Sequence, residues 1–369
     1  MGGQVDNLPS MVSPLSVMAD DDFEQLAYRY DAPTGLRAIV AIHSTVLGPG
    51  LGGTRFWPYV SEEEALIDVT RLAKGMTYKH AAAGLHQGGG KAVIIGDPAH
   101  LRSDELILAY GRFVEGLAGR YVTAEDIGTT QADMNLIGTV TSHVAGRSEA
   151  LGGSGDPSPA TALGLVWAMQ AVAERLWGEA TLADRHVCIA GVGKVGGALA
   201  DHLHAQGARL TVADIHPGAV AAVVHRTGAA VVDPDGAHAV EADLFAPCAL
   251  GAGLSAVTIP ELGCQAIVGS ANNQLATAED AQRIQDSGVL YAPDYIVNAG
   301  GVINIAEEKV GYERDRANQQ IARIHDTVLT VFDLAESAGI TTAAAADRLA
   351  EQRLTEALNL RRESPGPGQ

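Results

Sequence analysis

The chain is short of the residues that mark several protein classes. Its 369 residues hold three cysteines, Cys188, Cys248 and Cys264, scattered and odd in number. They form no CxxC pair and no His/Cys cluster. That argues against a disulfide framework and predicts no metal site, leaving buried thiols in a reducing compartment. The twelve histidines form no HExxH pair, and His202 and His204 fall on the outer face of a predicted helix. Positive charge is scarce: 25 Lys and Arg stand against 44 Asp and Glu, a net charge of −19. Such a balance argues against nucleic acid or an anionic membrane surface as the partner. It leaves small anionic substrates, gripped by local lysines. No apolar run reaches the length of a membrane span, the longest, 160–173, being interrupted by Gln170. The N-terminus has no basic segment followed by an apolar one, so no secretion signal is visible. A soluble cytoplasmic protein is expected.

What is present is globular. Apolar residues make up 47%, and the length predicts about two domains. Residues 1–20 lack periodicity and read as a disordered extension, as does the end, "ESPGPGQ". "RAIVAIH" (37–43), "KAVIIG" (from Lys91) and "YVTAED" (from Tyr121) read as three strands. Between the first two, Ser61 and Glu64 form a capping box ahead of apolar positions at helical spacing. That helix ends at or just before Lys79. One substrate and catalytic domain is expected over 21–147. "LGGSGDPSPATALG", dense in glycine and proline, marks a boundary, and a second domain is expected over 148–340. Two helices, Tyr312–Glu336 and Ala343–Leu358, close the chain. The last, within 341–360, is expected to return to the first domain.

The second domain carries the clearest local pattern. His186–Ala190 reads as a strand, Lys194–Gln206 as a helix and Arg209–Ala213 as a second strand. The turn between strand and helix holds Gly191, Gly193 and Gly196 as GxGxxG, and Asp214 ends the second strand. That context is the dinucleotide-binding fingerprint, with the alternative of a glycine turn that binds nothing. Gly191 permits the turn, Gly193 admits a pyrophosphate close to the backbone, and Gly196 packs helix on strand. Lys194 and Val195 open the helix, whose N-terminus favours phosphate. Asp214 suits ribose hydroxyls and repels a 2′-phosphate, favouring NAD over NADP. Ligands in such a sheet sit beyond the strand carboxyl ends, so Cys248, Ala249, Ala271, Asn272 and Asn298 are expected around the cofactor.

"AGLHQGGGKAVIIGD" (83–97) poses a different question. It resembles a phosphate loop, but Leu85 stands where the first glycine belongs, and Ala92 follows the lysine where a hydroxyl is needed. The apolar run also comes after the glycines. Lys91 and Lys79 both lie in glycine- and alanine-rich surroundings, and Asp126 follows a strand. Each is either a solvated charge or part of a site that something approaches closely. If the lysines are neighbours, like charge and desolvation favour the neutral form of one, a base, while the other grips a carboxylate. Asp126 would then shuttle a proton.

These segments resemble the Glu/Leu/Phe/Val amino-acid dehydrogenases almost end to end, from about residue 22 to 360. "LGPGLGGTRFWPY", "GMTYKHAAAGL", "GGGKAVIIGDP", "GRYVTAEDIGTT", "SGDPSPATALG", "GSANNQL" and "YAPDYIVNAGGVIN" follow one another in the family's order. The resemblance implies an α/β fold with a strand-and-helix substrate domain, a Rossmann-type NAD domain and an active-site cleft between them. It implies NAD-dependent, reversible oxidative deamination of an L-amino acid to a 2-oxo acid and ammonia, by a homo-oligomer. It makes Lys91 the lysine that activates water, Lys79 the carboxylate binder and Asp126 the acid/base. Asn298 orients the substrate, and Thr161 contacts NAD. Leu51, Gly52, Gly53, Met76, Ala124, Val302 and Ile305 match the substrate pocket of the leucine-type members. No charge among them suits an acidic side chain. Branched bulk at 302 and 305 should crowd an aromatic ring, and Ile305 is one carbon larger than the valine expected there. A valine-preferring relative is therefore the runner-up, with a phenylalanine-type member of the family the other alternative. His86 stands where asparagine is expected. Its effect is either on pH dependence or nil, if it is exposed. Two other classes, an inactive dinucleotide-binding regulator and an NTP-binding protein, share single segments of the pattern but not the whole.

Overall fold

Residues Leu36–Ser44 form a strand because six consecutive positions from Ala38 are buried, which only a sheet covered on both faces can offer. The computed structural model describes residues 13–249 and 251–363. The chain divides into two units, one comprising residues up to His80 with His86–Leu151, the other Ala81–Leu85 with residues from Gly152 onward.

The first unit holds α1 (Pro14–Asp20), β1 (Gln25–Asp31), β2 (Leu36–Ser44), β3 (Gly50–Trp57), α2 (Glu62–Ala82), β4 (Gly88–Ile95), α3 (Pro98–Leu101), α4 (Asp104–Glu115), β5 (Tyr121–Glu125) and α5 (Gln131–Ile137). Its sheet runs β1-β2-β4-β3-β5. β2 is antiparallel to β1 and β4, whereas β3 is parallel to β4 and β5. Alternation divides the core. Ile39, Ala41, Val93 and Ile95 meet Ala65, Leu66, Val69 and Ala73 of α2. Val40, Ile42, Ala92 and Ile94 meet α4 and α5 through Leu106, Ile107, Tyr110, Met134 and Ile137.

Four expectations change here. Residues 14–20 are a helix and not a loose extension, because Val17 and Met18 pack against the core below α2. Residues 1–12, and 364–369 of the other expected tail, lie outside the described residues. β1 and β3 are additional strands: β1 is a sheet edge, and β3 is rich in glycine, so neither shows an alternating pattern. β4 starts at Gly88, so the glycines are strand rather than loop. The α2 cap forms, Glu64 N donating to Ser61 Oγ at 3.1 Å, and the helix carries Lys79 in its last turn.

The glycines of β4 make room for the protein itself. A Cβ at Gly89 would lie 1.9 Å from Thr77 Oγ1 and 2.3 Å from Thr77 N, and one at Gly88 would lie 2.1 Å from Ser44 O. Helix α2 therefore rests directly on strand backbone. Gly89→Ala is expected to cost about 3 kcal/mol or more by overpacking. Denaturant unfolding checks this, and an unchanged midpoint would refute the packing argument.

The second unit begins with α6 (Ser158–Trp177), then β6 (His186–Ala190), α7 (Lys194–Ala205), β7 (Arg209–Ala213), α8 (Pro217–Thr227), β8 (Ala230–Val231), β9 (Ala242–Pro247) and β10 (Cys264–Ile267). It continues with α9 (Asp280–Ser287), β11 (Leu290–Tyr291), α10 (Asp294–Val297), α11 (Gly300–Ala306), α12 (Arg314–Ala322), α13 (Ile324–Ala338) and α14 (Thr342–Glu363). The strands are parallel in the order β11-β10-β9-β6-β7-β8. Chain direction across the sheet reverses between β6 and β9, the topological switch point where ligands bind. The helix expected over 312–336 is two, divided at Arg323. Arg353 of α14 donates from Nη1 to the carbonyls of Ala81 and Ala82. Burial pushes the Cys188 thiol up to about 11 and the Cys264 thiol up to about 12, so both stay protonated and inert. No single described helix is long and apolar enough to cross a membrane.

Candidate active site

Lys91 is a buried lysine in a strand whose eight residues are all buried. Its Nζ forms an ion pair with Asp126 Oδ2. Register brings them together. Thr54 of β3 pairs with Ala92 on one side and Glu125 on the other. One residue earlier, Gly53 therefore lies between Lys91 and Ala124. A Cβ on Gly53 would meet Glu125 O at 2.5 Å and Asp126 Cβ at 2.8 Å. The missing side chain lets a lysine of β4 reach across β3 to a carboxylate beyond β5.

Asp126 sits in a turn clamped to β3. Phe56 N donates to Ile127 O at 2.8 Å, Thr129 Oγ1 donates to Thr54 O at 2.8 Å, and Asp126 N donates to Thr129 Oγ1 at 3.0 Å. Gly128 turns the chain at φ +82°, where a Cβ would lie 2.0 Å from Phe56 O. Burial pushes the Asp126 carboxyl upward. The Lys91 ammonium, the Arg55 guanidinium and the Ile127 N–H together outweigh that and hold it below the usual carboxylate range. The charged neighbour placed on Lys91 is thus a carboxylate, and the pair is neutral as a whole.

The first unit's other predicted residues lie on β3, α2 and β5. Leu51 and Ala124 are buried, Met76 and Lys79 are half-buried at i and i+3 on α2, and Met76 Cγ lies 3.5 Å from where a Gly52 Cβ would be. Gly52 O accepts from Tyr121 OH at 2.6 Å. His86 is exposed. His80 is fully buried, its Nδ1 2.8 Å from Gly88 O, and burial pushes it down to about 4, so it is neutral.

In the second unit the glycine turn has three distinct environments. Gly191 lies at φ +100° against Cys248 and Ala249, and a Cβ would meet Ala249 N at 2.7 Å. A Cβ on Gly196 would lie 1.9 Å from Gly191 O. Gly193 is exposed, with nothing within 4 Å of a Cβ. No side chain caps α7 at Gly193, so Lys194 and Val195 open an uncapped helix end. This cradle fits the diphosphate of a dinucleotide. Lys194 pairs with Asp156 at 3.0 Å. Asp214 accepts from Val192 N and His216 N, both at 2.8 Å.

The strand ends gather around the same turn. Cys248 N donates to Ala190 O at 2.7 Å and Ala271 N to Pro247 O at 3.0 Å. Asn298 Nδ2 donates to Asn272 Oδ1 at 2.8 Å and Ser270 O at 3.1 Å, while its buried Oδ1 has no hydrogen-bond partner. Thr161 Oγ1 donates to Pro157 O at 3.0 Å, under Gly301. Val302 and Ile305 are half-buried at i and i+3 on α11.

Sequence reading missed Arg55 and Asp68. Arg55 Nη1 donates to Asp68 Oδ2 at 2.7 Å, and its Nε lies 3.8 Å from Asp126 Oδ2. The available signal was position: Arg55 follows Gly53 by two, which puts both on one face of β3.

The chain matches two family models: "Glu/Leu/Phe/Val dehydrogenase, dimerisation domain" over residues 25–143, and "Glutamate/Leucine/Phenylalanine/Valine dehydrogenase" over 152–224 and 216–362. It is 51% identical to a leucine dehydrogenase of Geobacillus stearothermophilus over 333 residues, 90% of this chain and 91% of that one. It is equally 51% identical to a valine dehydrogenase of Streptomyces albus over 337 residues, 90% of this chain and 93% of the relative. Among solved structures, L-tryptophan dehydrogenase from Nostoc punctiforme is 40% identical with a TM-score of 0.83, covering 94% of this chain and 99% of that one. With the two models spanning both units, the chain belongs to the Glu/Leu/Phe/Val dehydrogenase family.

Proposed function

We propose that this chain is an NAD-dependent dehydrogenase of branched-chain L-amino acids. It converts leucine, valine or isoleucine, water and NAD⁺ reversibly into the 2-oxo acid, ammonium, NADH and a proton. The observation that carries this is the buried Lys91–Asp126 pair, set side by side by a glycine strand and leading into a group of apolar residues. A base and an acid held in contact suit a reaction that must move protons at both an amine and a water.

Bound at Gly191–Gly196, the nicotinamide cofactor supplies the acceptor for the α-hydride. Lys79 grips the substrate carboxylate as a point charge. Asp126 takes the proton from the substrate amine and returns it to the departing ammonia. Lys91 takes a proton from water as oxygen adds to the imine carbon. Asn298 hydrogen-bonds the substrate, using the Oδ1 that the protein leaves unpaired. Thr161, Lys194, Val195, Cys248, Ala249, Ala271 and Asn272 hold the cofactor. The Asp214 carboxylate, fixed by two backbone N–H groups, accepts ribose hydroxyls and repels a 2′-phosphate. Leu51, Gly52, Gly53, Met76, Ala124, Val302 and Ile305 are the residues that select the substrate side chain. The active form is a homo-oligomer.

The test is NADH absorbance at alkaline pH with each amino acid. Turnover with leucine, valine and isoleucine is expected, with phenylalanine at least about tenfold poorer in kcat/KM and NADP⁺ a poor substitute. No turnover with any aliphatic amino acid sinks the reading. The branched bulk of Ile305 favours valine as the second reading, which a kcat/KM for valine above that for leucine would establish.

A further inference from the structure

Asp126 has two cationic neighbours, and only one is needed as a reaction partner. Lys91 reaches it from β4 and Arg55 from β3, while Asp68, on α2, faces Arg55 from the other side. Tyr59 OH donates to Asp68 Oδ2 at 2.7 Å, and Arg71 Nη2 donates to Asp68 Oδ1 at 3.1 Å. Glu125 precedes Asp126 and is exposed. Arg55, Asp68, Lys91 and Asp126 thus form a row of alternating charge with no net charge. The Arg55 and Asp68 side chains are only 19% and 15% exposed, so water screens them weakly.

The row is uneven. Arg55 is fully engaged at Asp68 through Nη1, but its buried Nε has no hydrogen-bond partner. The nearest carboxylate to that Nε besides Asp68 is Asp126, whose Oδ2 is the atom in the ion pair with Lys91. Arg55 Nε and Asp126 Oδ2 face each other at 3.8 Å. An arginine fork is rigid, so holding one end on Asp68 fixes where the other end points.

We propose that Arg55 is a positioning residue, anchored by Asp68, that holds the Asp126 carboxylate as an anion turned toward Lys91. It touches neither substrate nor cofactor and acts through Asp126, so its importance for turnover rests on the dehydrogenase reading above. A second, fixed cation lets Asp126 stay charged when Lys91 changes its own proton, as it must in each catalytic cycle. With Lys91 as sole partner, every proton leaving Lys91 would strand a buried carboxylate, which then takes up a proton at the wrong moment. The Arg55 guanidinium is among the groups that hold Asp126 below the usual carboxylate range.

The experiment titrates Asp126 directly, so it does not depend on activity. The protein is labelled with carboxyl-isotope aspartate, and the Asp126 signal is assigned by its loss in Asp126→Asn. Arg55→Met is expected to move the midpoint up by about one pH unit or more. Asp68→Asn, whose amide oxygen can still accept from Arg55 and keep its anchor, removes only a nearby negative charge and is expected to move it down. A mere packing defect has no reason to shift the two in opposite directions. Arg55→Lys keeps the charge but loses the fork. It should hold the midpoint near wild type while lowering kcat. An unmoved midpoint in folded Arg55→Met, or an upward shift in Asp68→Asn, overturns the proposal. If Arg55→Met does not fold, Arg55→Gln takes its place, with the same upward shift expected and an unmoved midpoint overturning the proposal. Wild-type protein without turnover, but with both shifts as expected, would overturn the dehydrogenase reading and not this one.

Discussion

Lys91→Ala is expected to lower kcat for amino-acid oxidation by about 10²- to 10⁴-fold, the range for losing a placed acid or base. NADH affinity should not change, because Lys91 is not among the residues proposed to hold the cofactor. The variant should also weaken the fold in acid. Asp126 is held below its ordinary value in the folded chain, with Lys91 as its largest favourable partner. A lowered carboxylate contributes stability that is present above the unfolded value, near 4, and is lost as pH falls through the folded value. Without Lys91 the folded value rises, so that contribution shrinks and acid unfolding starts at a higher pH. Thermal melts across the acid range check the second effect, and stopped-flow NADH formation the first. Lys91→Arg keeps a cation and should recover much of the acid stability but little of the rate, since a guanidinium does not accept a proton. A Lys91→Ala protein that turns over at the wild-type rate would show that water is activated elsewhere.

The second unit was the more legible part of the sequence. β6 and β7 occupy the residues read as strands, and α7 ends one residue early, because here apolar runs, glycine turn and helix start all agree. The first unit hides its main device. β3 has glycine at 50, 52 and 53, which gives neither alternation nor strand propensity, and its stability comes from backbone packing that exists only once β4 lies beside it. The same holds for Gly88–Gly90. Glycines next to a lysine announce a close approach, and here the approaching groups are Ser44, Thr77 and Tyr121. The chain has five lysines, Lys74, Lys79, Lys91, Lys194 and Lys309, so a lysine inside an apolar strand was itself a signal. Their roles came from the family resemblance. Arg55 escaped notice because its meaning depends on the register of β3 with β5 and on Asp68, both set by the tertiary fold.

Gly193→Ala and Gly196→Ala should separate fold from cofactor binding. At Gly193 the backbone is extended, at φ −67° and ψ −151°, and a Cβ would meet nothing within 4 Å. The variant should therefore melt with the wild type. Its added methyl nonetheless projects where a diphosphate must come close to the first N–H groups of α7. Losing one such charged hydrogen bond costs roughly 1.5–3 kcal/mol, or about tenfold or more in affinity for NADH. At Gly196 the new Cβ would lie 1.9 Å from Gly191 O and 3.3 Å from Cys248 Cβ, so β6 and α7 must separate. Stability should fall by about 3 kcal/mol and NADH binding with it, since the turn itself moves. NADH fluorescence titrations beside denaturant melts distinguish the two. If Gly193→Ala binds NADH like the wild type, the diphosphate does not sit on this helix end, and the assignment of Asp214 to the ribose goes with it. If it loses both binding and stability, the open space at Gly193 already serves the fold, and the contrast with Gly196 fails.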